Sequence, residues 1–547
     1  MARARPRVDP VRIGRHLGWV GLAFVGYLLF GLISSLVFGI ITGDAWSRLG
    51  NAYYVLFSRD PHLAAIGFVW NPLPSLVQLP LLPLKAIWPA MVDRAVAASL
   101  MSALFMALAV RELWRWLRDL RVTRPAAFGL TVAFAAHPMI VIYGGNGMSE
   151  APFLWFLLVA GRAFSSWLGR PDVGRLAVTG IALALAYLTR YEAIAAIAAV
   201  ILATGLVATL RTSGPLGARL LGGAADAAIV GAPPVAAFAA WALASWIIVG
   251  SPFETFTSVY GNASQVGLSV DQIRASAGGT PLAMGSYMLR QIVGLEIALP
   301  VVLALAGGIA LWRRDTRLVA PIAVFGSVVV MSLLTFIAGG SFGWLRFVIV
   351  VIPLVAIAGG IVVAGVARAP LGRRTREAKL LATGAMAALA LVALPMSVGT
   401  MFNANLAREE TPKLEGLIAP GRIDPMERRS AAVGDEVAAW LDARDLPRGS
   451  VVVDVAFGFW IVLQSSHPEQ FVITPDRDFE RVVDDPAAFG ARYLLVSPSG
   501  GLGSYGALER AHPGLYATGG GIATLVREFR DPVERHVMWR LYEVDEG

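Results

Sequence analysis

Residues 17–42, LGWVGLAFVGYLLFGLISSLVFGIIT, form an unbroken apolar run that ends on Gly43-Asp44-Ala45-Trp46-Ser47-Arg48. The run has 26 residues, whereas ~20 apolar residues span a bilayer and the core of a secretory signal takes only ~7–15. Five arginines precede it within residues 1–16, so it reads as an uncleaved first transmembrane helix with its N-terminus inside. An ionisable pair, Asp44 and Arg48, then lies where the span meets water. That carboxylate is either a solvated helix end or the reactive group of a membrane enzyme.

Working outward, the whole chain carries the same signature. Of 547 residues, 56% are hydrophobic and only 15% charged, with a mean hydropathy of +0.63, against about a quarter charged in soluble domains. The net charge of +8 does not point to nucleic acid, because the arginines lie between apolar runs and not on a soluble basic face. The absence of cysteine excludes disulfides, thiolate metal sites and a cysteine nucleophile together.

Further apolar runs lie at about 91–110, 125–143, 150–168, 176–188, 192–210, 220–250, 297–312, 318–338, 345–367 and 378–398, predicting eleven crossings with the first. Residues 43–90 are neither a clean span nor a polar loop. Pro72, Pro74, Pro80, Pro83 and Pro89 break them too often for one helix, so short helices at the interface are expected, with Trp70, Trp88 and Lys85 at headgroup depth. The alternate loops that would share the side of the N-terminus hold 23 Lys and Arg, against seven in the opposite short loops. This bias predicts a cytoplasmic N-terminus, and an odd number of spans then places residues 399–547 outside a plasma membrane. Residues 1–398 are the expected transmembrane catalytic domain.

In 399–547 charge becomes frequent and the apolar runs shorten to strand length. An amphipathic helix is expected over 426–444, with Val433, Val437, Trp440 and Leu441 on one stripe. Strands are expected at 451–456, 471–474, 493–497, 522–529 and 537–544, with helical segments near 478–490 and 504–511 between them. The predicted architecture is an α-helical polytopic membrane protein with a small extracytoplasmic α/β domain.

On this topology the unusual polar groups share one side: Asp44 and Arg48; Arg59, Asp60 and His62; His137, Tyr143, Asn146 and Glu150; Arg190 and Glu192; and Arg346. Each has a plain reading of its own. Asp44 can end a helix at water, Arg346 can anchor to headgroups, and Glu150 beside Ser149 can stabilise a helix N-terminus. Arg190 and Glu192 can form a structural ion pair, and His137 before Pro138 reads as a buried hydrogen-bonding residue. The sequon Asn262-Ala263-Ser264 carries no meaning here. The shared side is what independent accidents would not favour, and converging carboxylates and arginines suit a negatively charged, lipid-borne substrate.

An acidic residue after the first span, a long first outer loop, Met148-Ser149-Glu150 opening the fourth span, the turn Thr189-Arg190-Tyr191-Glu192, and Trp344-Leu345-Arg346-Phe347 followed by Pro353 together resemble the GT-C superfamily of integral-membrane glycosyltransferases. The likeness is to its protein-mannosyltransferase and aminoarabinose-transferase branch, and it covers about 1–398. It implies that Asp44 is the catalytic carboxylate, accepting the proton of an acceptor hydroxyl as that oxygen attacks the anomeric carbon with inversion. It makes Arg190 and Arg346 the candidates for holding the departing polyprenyl phosphate. Glu150, Glu192, Arg59, His62 and Tyr191 would orient these groups or contact sugar or acceptor. The implied partners are a polyprenyl-phosphate sugar donor, a glycan, lipid or protein acceptor, and the bilayer; nucleic acid is not among them.

Two departures qualify the resemblance. Asp44 is followed by Ala45 and not by the Glu of the protein mannosyltransferases, and the loop holds no Asp-X-Asp. No cofactor is called for, and Asp60-Pro61-His62 offers two groups, too few to assert a divalent-metal site. The rival from another class is a lipid-linked-glycan flippase or other transporter, which should show internal repeats and charges near the bilayer midplane. No repeat is visible. A non-catalytic scaffold is the third reading.

Overall fold

The computed structural model describes residues 10–368, 375–420, 424–500, 503 and 505–545. The N-terminal Arg3, Arg5 and Arg7 and part of the basic loop 368–379 lie outside them.

Among the described residues, eight helices are long and apolar enough to cross a membrane, or ten if each of two bent pairs counts as one span. The bent pairs are Arg124–Ala135 with Pro138–Gly145, at 59°, and Pro281–Leu295 with Leu299–Arg313, at 83°. The eleventh expected run falls on the helix Val173–Thr189, whose 17 residues are short of the ~20 that span hydrocarbon. The breaks have sequence causes. His137 caps the second half of the first pair, with Pro138 at its first position, and Pro300 opens the second half of the other. Two helices before that break, Asn262–Ala277 and Pro281–Leu295, were not anticipated.

The first span does not end on Asp44. The helix Pro10–Leu32 loosens into a π-helical turn at Ile33–Val37, and Asp44 belongs to the first turn of the next helix, Gly43–Phe57. Short helices at Leu63–Ile66, Leu73–Gln78, Leu79–Ala86 and Ala90–Asp93 follow, as the prolines require. Lys85 is engaged within the chain: its Nζ donates to the carbonyls of Leu463 (2.8 Å) and Ser465 (3.0 Å), satisfying the C-terminal end of a tail helix, and pairs with Asp93 at 3.0 Å.

The first helix is held against Pro138–Gly145 by backbone proximity. A Cβ on Gly31 would stand 2.2 Å from the Gly145 carbonyl oxygen, and one on Gly145 2.5 Å from that of Tyr27. Tyr27 also donates to the Ala135 carbonyl at 2.9 Å. Small residues at such a crossing let helices approach where no hydrophobic force drives them together. Gly145→Val should therefore destabilise the chain by about 1–3 kcal/mol through overpacking, read as a lowered melting temperature; unchanged melting would show that this contact is slack.

The tail carries a five-stranded sheet in the order β2-β1-β3-β5-β4, with β1 Val451–Val453, β2 Phe471–Ile473, β3 Tyr493–Val496, β4 Ala523–Arg530 and β5 Val537–Val544. β1 runs parallel to β2 and β3, while β5 pairs antiparallel with β3 and β4. The three parallel strands are buried along their whole length, as strands covered on both faces must be. The helix Met426–Asp442 occupies the expected stripe, and Val455–Gln464 is an additional crossover. The tail shares one apolar core with the first interhelical loop, where Trp46, Leu49 and Tyr53 pack with Val437, Phe459 and Val462. This shared core sets the angle at which Gly43–Phe57, and hence Asp44, meets the bundle.

Candidate active site

Asp44 stands in the first turn of its helix, where free backbone N–H groups favour an anion. Arg346 lies in the short turn Leu345–Val348 ahead of the late span Val351–Val366, with Pro353 in that span's first turn. Glu150 opens the helix Glu150–Gly169. Arg190 and Glu192 occupy the break between Val173–Thr189 and Ala193–Arg211. These separate element ends converge.

Arg346 is the centre of the convergence. Its Nη2 donates to Asp44 Oδ2 at 2.8 Å and its Nη1 to Glu409 Oε1 at 3.1 Å, while Nε lies 3.8 Å from Glu150 Oε1. Its guanidinium also stacks on Trp344 at 4.4 Å. Arg190 donates to Glu150 Oε1 at 2.5 Å, to Ser149 Oγ at 3.2 Å and to Glu192. Glu150 therefore serves both arginines, and its Oε2 is buried without a hydrogen-bond partner among the described residues. Both guanidiniums are anchored on one side by carboxylates, which pre-orients their remaining donors.

A cleft of about 30 Å³ is lined by Asp44, Arg48, Asn71, Arg190, Glu192 and Arg346, with Trp70, Tyr191 and Phe347 among its walls. Arg346 retains 4% of its side-chain exposure but Asp44 retains 30%, so the carboxylate is the member of the pair that an incoming group can reach. Burial pushes the Asp44 carboxyl up, yet the charges of Arg346 and Arg48 prevail and hold it below the usual carboxylate range. It is ionised at neutral pH, and no solvated helix end would have these neighbours.

Arg48 is more than a local partner of Asp44. It donates to the Asp44 main-chain carbonyl at 3.1 Å, stacks on Trp70 at 4.3 Å and lines the same cleft. Its Nε is buried without a partner among the described residues, and burial pushes the group down to about 10.

Sequence reasoning also missed Glu409, Glu410 and Lys413. They flank or belong to the helix Glu410–Ile418, just past the last span, in the stretch assigned to the tail. Lys413 bridges Glu409 at 3.2 Å and Glu427 at 3.3 Å. Glu410 accepts from Tyr143 Oη at 2.6 Å, and burial together with Glu409 raises its carboxyl to about 7. The signal was the run Arg408-Glu409-Glu410-Thr411-Pro412-Lys413, which reads equally well as a solvated loop.

Arg59 and His62 do not join this cluster. Arg59 is bound by Asp476 at 3.0 Å and by Asp478 of the tail, and His62 Nδ1 lies 2.6 Å from the Asp60 carbonyl. Asp60 itself pairs with Arg477. The segment is tied to the tail by two sets of ion pairs, Arg59 with Asp476 and Asp478 and Asp60 with Arg477. His137 behaves as a buried hydrogen-bonding residue, accepting from Met139 N and facing the Leu295 carbonyl at 3.3 Å.

This arrangement, a helical bundle with a proline-broken first loop, a charged cleft at its helix ends and a small α/β tail, has counterparts among solved structures. Among solved structures, the chain is similar to ArnT from Cupriavidus metallidurans in the apo state, with a TM-score of 0.53 at 14% identity over 98% of this chain and 99% of that one. Two others align less well. The oligosaccharyltransferase AglB from Archaeoglobus fulgidus, in complex with an inhibitory peptide and a dolichol-phosphate, gives 0.42 at 11% identity over 89% and 70% of the two chains. The arabinofuranosyltransferase AftD from Mycobacteria gives 0.44 at 16% identity over 97% and 42%. At such identities the likeness is one of fold. No protein-family model and no curated protein sequence matches the chain.

Proposed function

We propose that this chain is an inverting glycosyltransferase that moves a sugar from a polyprenyl-phosphate donor to an acceptor hydroxyl at the extracytoplasmic face of a plasma membrane. The observation that carries the reading is the pairing of Asp44 with Arg346 in a cleft that Arg190 and Glu192 also line. Asp44 accepts the acceptor's hydroxyl proton while that oxygen bonds to the anomeric carbon. The bond from that carbon to the phosphate oxygen breaks, and its electron pair leaves on polyprenyl phosphate. Arg190 and Arg346 meet the charge that develops there, since both are already held by carboxylates and need little reorganisation. Glu150 and Glu192 keep the two guanidiniums aimed, and Tyr191 and Phe347 wall the sugar's side of the cleft.

The positive bias of the loops supports a cytoplasmic N-terminus and an external tail. The charges sit at helix ends, as Glu150 at the first residue of its helix illustrates, where a transporter would place them near the middle of its spans. Incubating the purified full-length chain with a panel of polyprenyl-phosphate sugars tests the reading. Release of polyprenyl phosphate from at least one member is expected, and neither binding nor release from any would overturn it.

A further inference from the structure

The helix Glu150–Gly169 begins beside the charged cleft, where Glu150 holds Arg190, and, at 1.5 Å per residue, ends about 30 Å away. At that opposite end of the bundle lies a much larger cleft, of about 1290 Å³. Arg121, Arg170, Arg313, Arg314 and Arg368, from four separate interhelical connections, line it. The carboxylates in the same wall are already engaged: Glu112 and Asp119 by Arg162, at 2.9 and 2.6 Å, Asp172 by Arg175 and Asp315 by Arg317, both at 3.5 Å. None of the five arginines named first has a carboxylate partner among the described residues. Arg313 Nε is in addition buried with no hydrogen-bond partner there.

A positive-inside bias explains why arginines occupy these loops, but orientation requires only that they be on one side. It does not require that guanidiniums with no carboxylate partner among the described residues, Arg368 donating to the Leu120 carbonyl at 3.0 Å, line one concavity from four connections, where their like charges favour a bound anion. Guanidinium forks match the geometry of phosphate oxygens, and basic pockets between membrane helices suit anionic headgroups.

We infer that this cleft binds a phosphate-bearing anion, either the headgroup of an anionic phospholipid or a soluble phosphorylated molecule, at the end of the bundle away from the Asp44 cleft. The inference stands independently of the sugar-transfer reading. On the orientation proposed above, the cleft faces the cytoplasmic leaflet.

The test measures melting of the detergent-purified full-length chain against inorganic phosphate, and against mixed micelles of phosphatidylcholine with and without phosphatidylglycerol. A rise in melting temperature with phosphatidylglycerol that inorganic phosphate does not reproduce assigns a lipid headgroup; a rise with inorganic phosphate as well assigns a soluble ligand. In either case the double variant Arg313→Gln/Arg314→Gln should weaken binding at least ~10-fold, as expected for losing charge-assisted bonds, and Arg274→Gln on an exposed helix should not. If the double variant does not purify, the exposed Arg170→Gln should give a smaller loss in the same direction. The inference is overturned if neither anion shifts melting, if the arginine variants bind as the native chain does, or if Arg274→Gln weakens binding equally.

Discussion

Asp44→Asn is expected to reduce sugar transfer by about 10²–10⁴-fold, the usual worth of a positioned general base, while leaving donor binding and expression in place. The substitution keeps the volume and one acceptor oxygen for Arg346, so the bundle is not asked to repack. It removes the negative charge proposed to accept the acceptor's proton. Arg346 keeps Glu409 at 3.1 Å, and Arg190 keeps Glu150 and Glu192, so the proposed phosphate-binding donors stay in position. The measurement separates the two roles: binding of a polyprenyl-phosphate sugar to the variant, and turnover with an acceptor. Undiminished turnover would remove Asp44 from the base role, while loss of binding together with turnover would recast it as a residue that holds Arg346.

Most of the spans and the broken first loop were legible because both are written locally, in apolar runs and in repeated prolines. Four of the five strands were placed to within a residue or two for the same reason, and β1 was read too long. Its continuation, Val455–Gln464, is an apolar run without periodicity, which serves a buried strand or a buried helix equally. Asp454, whose side chain accepts from Ala456 N, was the cap that could have decided it. The site divided along similar lines. Asp44, Glu150, Arg190, Glu192 and Arg346 were visible because each interrupts an apolar stretch. Arg59 and His62 looked equivalent to them, but Arg59 is held by tail carboxylates 417 residues and more away, a distance no local pattern reports, and His62 by its neighbour Asp60. Glu409 and Lys413 failed in the opposite sense. They sit in a charged stretch that looked solvated, and only the return of the chain beneath the last span buries them against Arg346.

Arg346→Gln should have the second large effect, and its pH dependence carries the argument further than its rate. Losing one preorganised donor at a developing charge lowers turnover by roughly 10²–10³-fold, and donor affinity should fall with it because the same group is proposed to meet the phosphate. The Asp44 carboxyl is lowered against its burial chiefly by Arg346, then by Arg48. A depressed carboxylate favours the folded state above its unfolded value of about 3.9, and that contribution is lost as pH falls through the folded value. With Arg346 gone, burial is opposed by the weaker influences of Arg48 and Lys413, so the carboxyl rises and the acid limb of the pH–rate profile moves to higher pH. Arg346→Lys keeps a positive charge but not the fork that bonds Asp44 and Glu409 together, so its acid limb should lie between those of the native chain and the glutamine variant. If Asp44 and Arg346 act as one unit, the double variant Asp44→Asn/Arg346→Gln should lose much less than the product of the two single losses, as residues sharing one catalytic step do. Multiplicative losses, or an acid limb that stays in place when Arg346 is replaced, would separate the two residues and leave their 2.8 Å contact a structural ion pair.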